Sequence, residues 1–160
     1  MNQFKLKLII MIKSLKLILY IPILLFMFNC GGPNKEQKQV LDSQAQLEKD
    51  LEMYKYVWSR FFEGETAIVS DKYFSDDVVV VTAEGNLVGV EAVKNFYLNY
   101  FLGFSDVEFT IVDAFGQGDK IVKYWNFKGT HTGNFFGIPA SGNKLDLSGT
   151  TLVSIKDGKI

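Results

Sequence analysis

A chain of 160 residues that is 48% hydrophobic and 14% aromatic can build one ordinary domain with a real core, and is too short for two. Its formal net charge is only −1, yet four of the 17 basic residues (Lys5, Lys7, Lys13, Lys16) and none of the 18 acids precede residue 30, so the body is acidic. An acidic body without a basic patch is a poor electrostatic match for phosphate backbones, which argues against nucleic-acid binding.

The chain opens on a basic leader, "MNQFKLKLIIMIKSLK", followed by the apolar run "LILYIPILLFMF" (Leu17 to Phe28). That run is shorter than the roughly 20 residues needed to cross a bilayer. Basic leader and short apolar core are the layout of a secretory signal peptide, and a start at Met11 would give it a more usual length. Cys30 is the only cysteine, so no internal disulfide is possible. Its place directly after the apolar core resembles the lipobox of bacterial lipoproteins, although Asn29 stands where most of them carry Gly, Ala or Ser. The resemblance implies acylation at Cys30 and an extracytoplasmic protein anchored to a membrane of the bacterial cell envelope. On this reading residues 1–29 are signal peptide, 30–43 a lipid-anchored tether ("GGPNKEQKQV" is polar with Gly/Pro punctuation) and 44–160 the domain.

Ser43 and Gln46 fit a capping box that opens a helix, and Leu47, Leu51, Tyr54, Trp58 and Phe61 follow at helical spacing until Gly64. "TAIVSDKYF" predicts a shorter helix capped by Thr66. "VVVVT" (Val78 to Thr82) predicts a strand buried on both faces, and "AEGN" turns it into a short second strand. "GVEAVKNFYLNYF" predicts a helix with Val93, Tyr97, Tyr100 and Phe101 on one side. Strands follow: "DVEFTIVDAF" with Val107, Phe109 and Ile111 alternating, a "GQGD" hairpin, the long "KIVKYWNFKGTH", and "KLDLSGTTLVSI" closed by "DGK". Helices first and an antiparallel meander afterwards predict an α+β fold, a cone-shaped curved sheet packed on N-terminal helices. The open end of such a cone is a natural pocket for a small molecule.

The segments "WSRFFEGE", "GVEAVKNFY", "GDKIVKYWNFKGTHTGNFFGIPASGNKL" and "SGTTLVSIKDGKI" occur in the order and spacing of SnoaL-like proteins. These are the polyketide-cyclase or ester-cyclase branch of the nuclear-transport-factor-two-like superfamily. The resemblance spans Leu47 to Ile160 and is most specific in "GTHTG…GIP…G" and "DGKI". It implies a cone-shaped α+β barrel with a hydrophobic cavity, and a homodimer formed through the sheet. In the cyclases an Asp a few residues after "DGKI" is the general acid/base, without metal or cofactor. Here the sequence stops at Ile160, and the expectation is one further strand beyond it. A second polar position of the family corresponds to Thr151, and a third, in the first strand, falls on Val80 and Val81.

The lone histidine, His131, is the candidate catalytic residue by type, since an imidazole titrates near neutral pH. Its competing reading is structural, a polar residue satisfying backbone groups where the strand enters "NFFGIP". Trp58, Val80, Trp125 and Thr151 are the candidate pocket-lining residues. Tyr97, Tyr124, Phe135 and Phe136 complete an aromatic set whose members are core or cavity wall. Asp113 and Asp119 flank a hairpin and are expected in solvent. One histidine and no cysteine in the body leave a transition-metal site without its usual ligands, and no cofactor is implied. With His131 as the one near-neutral group, the expected role is binding a small apolar molecule. The alternative is a cofactor-free ester or polyketide cyclase using acid/base chemistry.

Overall fold

The computed structural model describes residues 32–160, so Cys30 and the proposed signal segment lie outside the described residues. The fold is that of the unit Asp42–Ile160, and helix α1 begins ahead of it. Helix α1 (Lys35–Phe62) starts well before Ser43. Its cap is Asn34: the Gln37 N–H donates to Asn34 Oδ1 at 2.8 Å, and the Asn34 N–H donates to Gln37 Oε1 at 2.9 Å. This reciprocal capping box satisfies two otherwise orphaned donors. It turns most of the expected tether into helix, with residues 32–46 all exposed. From Leu47 onward the predicted stripe turns inward and buries Tyr54, Val57, Trp58 and Phe61. The helix ends at Gly64, whose φ of 102° suits glycine. There the Glu65 and Gly64 N–H groups return to the carbonyls of Arg60 and Phe61, a Schellman closure.

The expected second helix is a single 3₁₀ turn, Thr66–Ile68, without a side-chain cap, followed by turns that bury Val69 and Phe74. Strands β1 (Val79–Thr82) and β2 (Gly85–Val88) form a hairpin of their own. The valine run is not buried on both faces: Val79 and Val81 are exposed while Val78 is buried and Val80 half-buried. A two-stranded hairpin has one face to cover, so β-branching set the conformation and not the burial. Helix α2 (Val90–Gly103) buries Val93 and lays Tyr97, Tyr100 and Phe101 against the rings of α1.

The main sheet is antiparallel β3 (Phe104–Gln117), β4 (Lys120–His131) and β5 (Lys144–Ser154), in that order. Register shifts between Ser105 and Glu108 and between Ile111 and Asp113 mark bulges in β3, which bend a strand and sharpen its twist. The fold is α+β as the sequence predicts, with the meander divided into two sheets that do not close into a barrel. In the "DGK" turn Lys156 pairs with Lys159. Ile160 exchanges backbone hydrogen bonds with Tyr73 and Ser75, each of 2.8 Å.

Candidate functional site

Strand β4 is central, and its side chains alternate. Ile121, Lys123, Phe127, Gly129 and His131 are buried on one parity with half-buried Trp125, while Tyr124 and Lys128 face outward. Tyr124 therefore leaves the aromatic set that could line an interior. Lys123 is the unexpected member: a lysine 3% exposed in the middle of an apolar face.

Its neighbours explain how it fits. Across the ladder Lys123 is flanked by Ala114 of β3 and Thr151 of β5, two small side chains that leave room for its stem. Its Nζ lies 4.5 Å from the ring centroid of Trp58, and 5.1 Å from those of Tyr54 and Phe109. Three ring faces around one cation recover part of its lost hydration, about 0.5–2 kcal/mol per good contact. They do not replace a counter-ion. No carboxylate among the described residues forms an ion pair with Lys123. Burial, as the sole resolved cause, draws the Lys123 ammonium down to about 7. Two further polar atoms beside it are buried without a partner among the described residues: the Tyr54 hydroxyl and the Trp58 indole N–H. Burial first and Tyr97 second push the Tyr54 phenol far up against a smaller lowering by the neighbouring Trp58 indole, and burial with Tyr100 pushes Tyr97 up to about 12. Both remain neutral hydrogen-bond donors at physiological pH.

The predicted lining residues divide. Trp58 caps Lys123 from α1. The Trp125 Nε1–H donates to Thr151 Oγ1 at 3.0 Å, beside Lys123 on the same inner face. The indole covers Gly149, where a Cβ would come within 2.4 Å of the ring. Val80 packs at the edge of the core cluster. His131 sits at the far end of β4, eight residues away or about 27 Å along an extended strand. There its Nδ1 is 3.1 Å from Ser141 Oγ, and its ring packs against Phe104 and Phe135. Its backbone N–H donates to Asn143 and its carbonyl accepts from Gly142, so the residue closes the 132–143 loop. These bonds tie His131 to the loop, while its Nε2 is buried without a hydrogen-bond partner among the described residues. Asp113 and Asp119 are exposed.

Lys123 corrects the premise that His131 is the one near-neutral group. The sequence held a signal for it: in "KIVKYWNF" the period of two that puts Trp125 and Phe127 inside puts Lys123 there too. Two surface clefts, of about 670 and 710 Å³, lie elsewhere. One holds Asp50, Asp119 and Asp157, the other Asn86, Phe96 and Phe136. Neither is lined by Lys123.

An α+β fold with helices over a bent antiparallel sheet and an aromatic interior defines a class, and comparison with known proteins places the chain within it. The SnoaL-like polyketide cyclase family matches residues 51–160, and the chain belongs to that family. A Jannaschia sp. CCS1 protein, provisionally assigned as a SnoaL-like polyketide cyclase, superposes with a TM-score of 0.61 at 22% identity, covering 70% of this chain and 80% of that one. An Acidithiobacillus ferrooxidans protein, provisionally assigned as a polyketide cyclase, gives 0.56 at 25% identity over 69% and 82%. AclR of Streptomyces galilaeus, provisionally assigned as a hydroxylase, gives 0.60 at 16% over 71% of each chain. No match was found among curated proteins.

Proposed function

We propose that the chain is an extracytoplasmic, lipid-anchored SnoaL-like domain that binds a small, largely apolar molecule in its aromatic interior. One observation carries the binding reading: the Tyr54 hydroxyl and the Trp58 N–H are buried in an apolar region without a hydrogen-bond partner among the described residues, beside Lys123, which has no ion pair there. Leaving such a group unsatisfied costs about 1–3 kcal/mol, so a bound acceptor is favoured there. Thermal-shift measurements on the full chain test it. Naphthyl and phenyl ketones should stabilise, and stabilisation by sugars or nucleotides alone would reject the reading.

A second reading, cofactor-free acid/base turnover of the cyclase kind, is favoured by Lys123. An amine near pKa 7 in a buried site can take a carbon-bound proton next to a carbonyl. Solvent-deuterium exchange at that carbon, present in the wild type and lost in Lys123→Met at equal binding, would support it. Exchange that survives in the variant would remove it.

The anchor is supported by the basic leader, the apolar run and Cys30. No helix among the described residues is long and apolar enough to cross a membrane. Mass spectrometry of membrane fractions should find an acylated peptide beginning at Cys30. A homodimer through the outer sheet face is supported by the cross-strand row Phe115, Val122 and Leu152. Phe115 is 59% and Leu152 69% exposed, and Tyr124 flanks them. Leu152→Asp should convert a dimer to monomer in light scattering, and a wild type that is monomeric at high concentration would contradict this.

A further inference from the structure

We infer that Lys123 is a carbonyl-trapping amine that holds a small aromatic aldehyde or ketone as a Schiff base. The inference rests on the ligand-binding reading above and adds to it a covalent bond and a substrate class.

The argument starts from what surrounds the amine. Lys123 is 3% exposed, stands beside Ala114 and Thr151, and has its Nζ between the rings of Trp58, Tyr54 and Phe109. An ion in that position would be expected to bring a carboxylate with it, and none among the described residues does so. A neutral amine is the form that such a site tolerates, and a neutral amine is a nucleophile. The titratable groups facing it are Tyr54 from α1 and, behind Trp58, Tyr97 from α2. Both are neutral at physiological pH, and burial raises their pKa further. The sheet neighbours Phe109, Ala114 and Thr151 carry no charge. Burial alone brings Lys123 to about 7, so a large share of it is unprotonated at physiological pH. An exposed lysine has fewer than about one amine in a thousand in that form at pH 7.

The unpartnered donors complete the site. The Tyr54 hydroxyl and Trp58 N–H are acceptor-seeking groups next to the amine, and a carbonyl presents an oxygen to accept and a carbon to attack. The aromatic walls suit an aryl substituent. In the reaction the Nζ lone pair forms a bond to the carbonyl carbon and the C=O π pair moves to oxygen. Two protons, one from nitrogen and one passed in from solvent through the Tyr54 hydroxyl, then carry that oxygen away as water and leave the protonated imine. The phenol is re-protonated from solvent, and nothing is oxidised or reduced. Because Lys123 is 3% exposed, a carbonyl has little room to approach it as the rings stand, and adduct formation should be slow.

The test uses the full-length chain with 2-naphthaldehyde and 2-acetylnaphthalene at pH 7, with cyanoborohydride to reduce any imine to a stable secondary amine. Peptide mass spectrometry should place the adduct on Lys123 ahead of every exposed lysine, and Lys123→Arg should abolish that adduct. Labelling spread over exposed lysines with Lys123 untouched overturns the inference, and it does so in the wild type even if the variant fails to fold. A parallel thermal shift with 2-ethylnaphthalene separates the two levels. Stabilisation without an adduct removes the Schiff base and leaves the binding reading, whereas no stabilisation and no adduct remove both.

Discussion

Lys123 and His131 occupy the same strand and the same face, are both buried, and are both titratable, yet the protein treats them oppositely. His131 is tied to its surroundings by Ser141 at Nδ1, Asn143 and Gly142 at its backbone, and Phe104 and Phe135 beside the ring, with only its Nε2 buried without a partner among the described residues. Lys123 is surrounded by rings and by donors with nothing to donate to. The residue that chemical habit would choose as a catalyst is bound into the closure of the 132–143 loop. The one that habit would put in solvent stands where chemistry is possible. Residue type sets what a group can do, and its neighbours decide whether it is free to do it.

The strongest way to break this contrast is to remove the ring above the lysine. Trp58 touches Tyr54, Phe61, Phe74 and Tyr97 as well as Lys123. Trp58→Ala should cost about 3–5 kcal/mol in denaturant unfolding, as for other large buried aromatics. A cost below about 1 kcal/mol would mean that the interior is not packed as described.

The next test is pH. The folded pKa of Lys123, about 7, lies below its ordinary 10.5, so between those values the unfolded chain binds the proton that the folded chain has released. Stability therefore rises with pH across that window, by up to about 1.4 kcal/mol per pH unit from this group, and its penalty is fully present below pH 7. Urea unfolding of wild type and Lys123→Met at pH 6.5, 8 and 9.5 should show the wild type gaining on the variant. Parallel curves would show that Lys123 keeps its charge in the fold.

A smaller effect is expected at Gly149. A methyl there would meet the Trp125 indole at 2.4 Å. Gly149→Ala should displace the ring, break its bond to Thr151 and cost about 1–3 kcal/mol. A red shift of Trp fluorescence should accompany it, and an unchanged spectrum would argue against that contact.

The smallest change belongs to the histidine end. His131→Asn keeps a polar group near Ser141 and should lower stability by about 1 kcal/mol while leaving ligand binding intact. Loss of turnover at unchanged stability would reverse the roles assigned here.

Much of the fold was legible because local patterns carried it. The inward stripe from Leu47 to Phe61, the α2 face of Val93, Tyr97 and Phe101, and the three long strands follow from periods of 3.6 and 2. The start of α1 was legible too, in "NKEQ", but the polar, Gly/Pro-marked context of that stretch suggested a tether. The site was less legible. Period-two parity put Lys123 inside, but a lysine on an inward parity ordinarily finds a carboxylate or snorkels to water, and parity cannot say which.

Sequence alone therefore determined the class of fold, the family and the inner face of β4, because each depends on spacing along one chain. Tertiary structure decided the rest: that β1 is half exposed, that His131 is tied to the 132–143 loop, and that Lys123 meets α1 with no counter-charge. Those facts depend on which groups from distant segments arrive at one point, and the pKa of a buried amine is set by that arrival rather than by its neighbours in sequence.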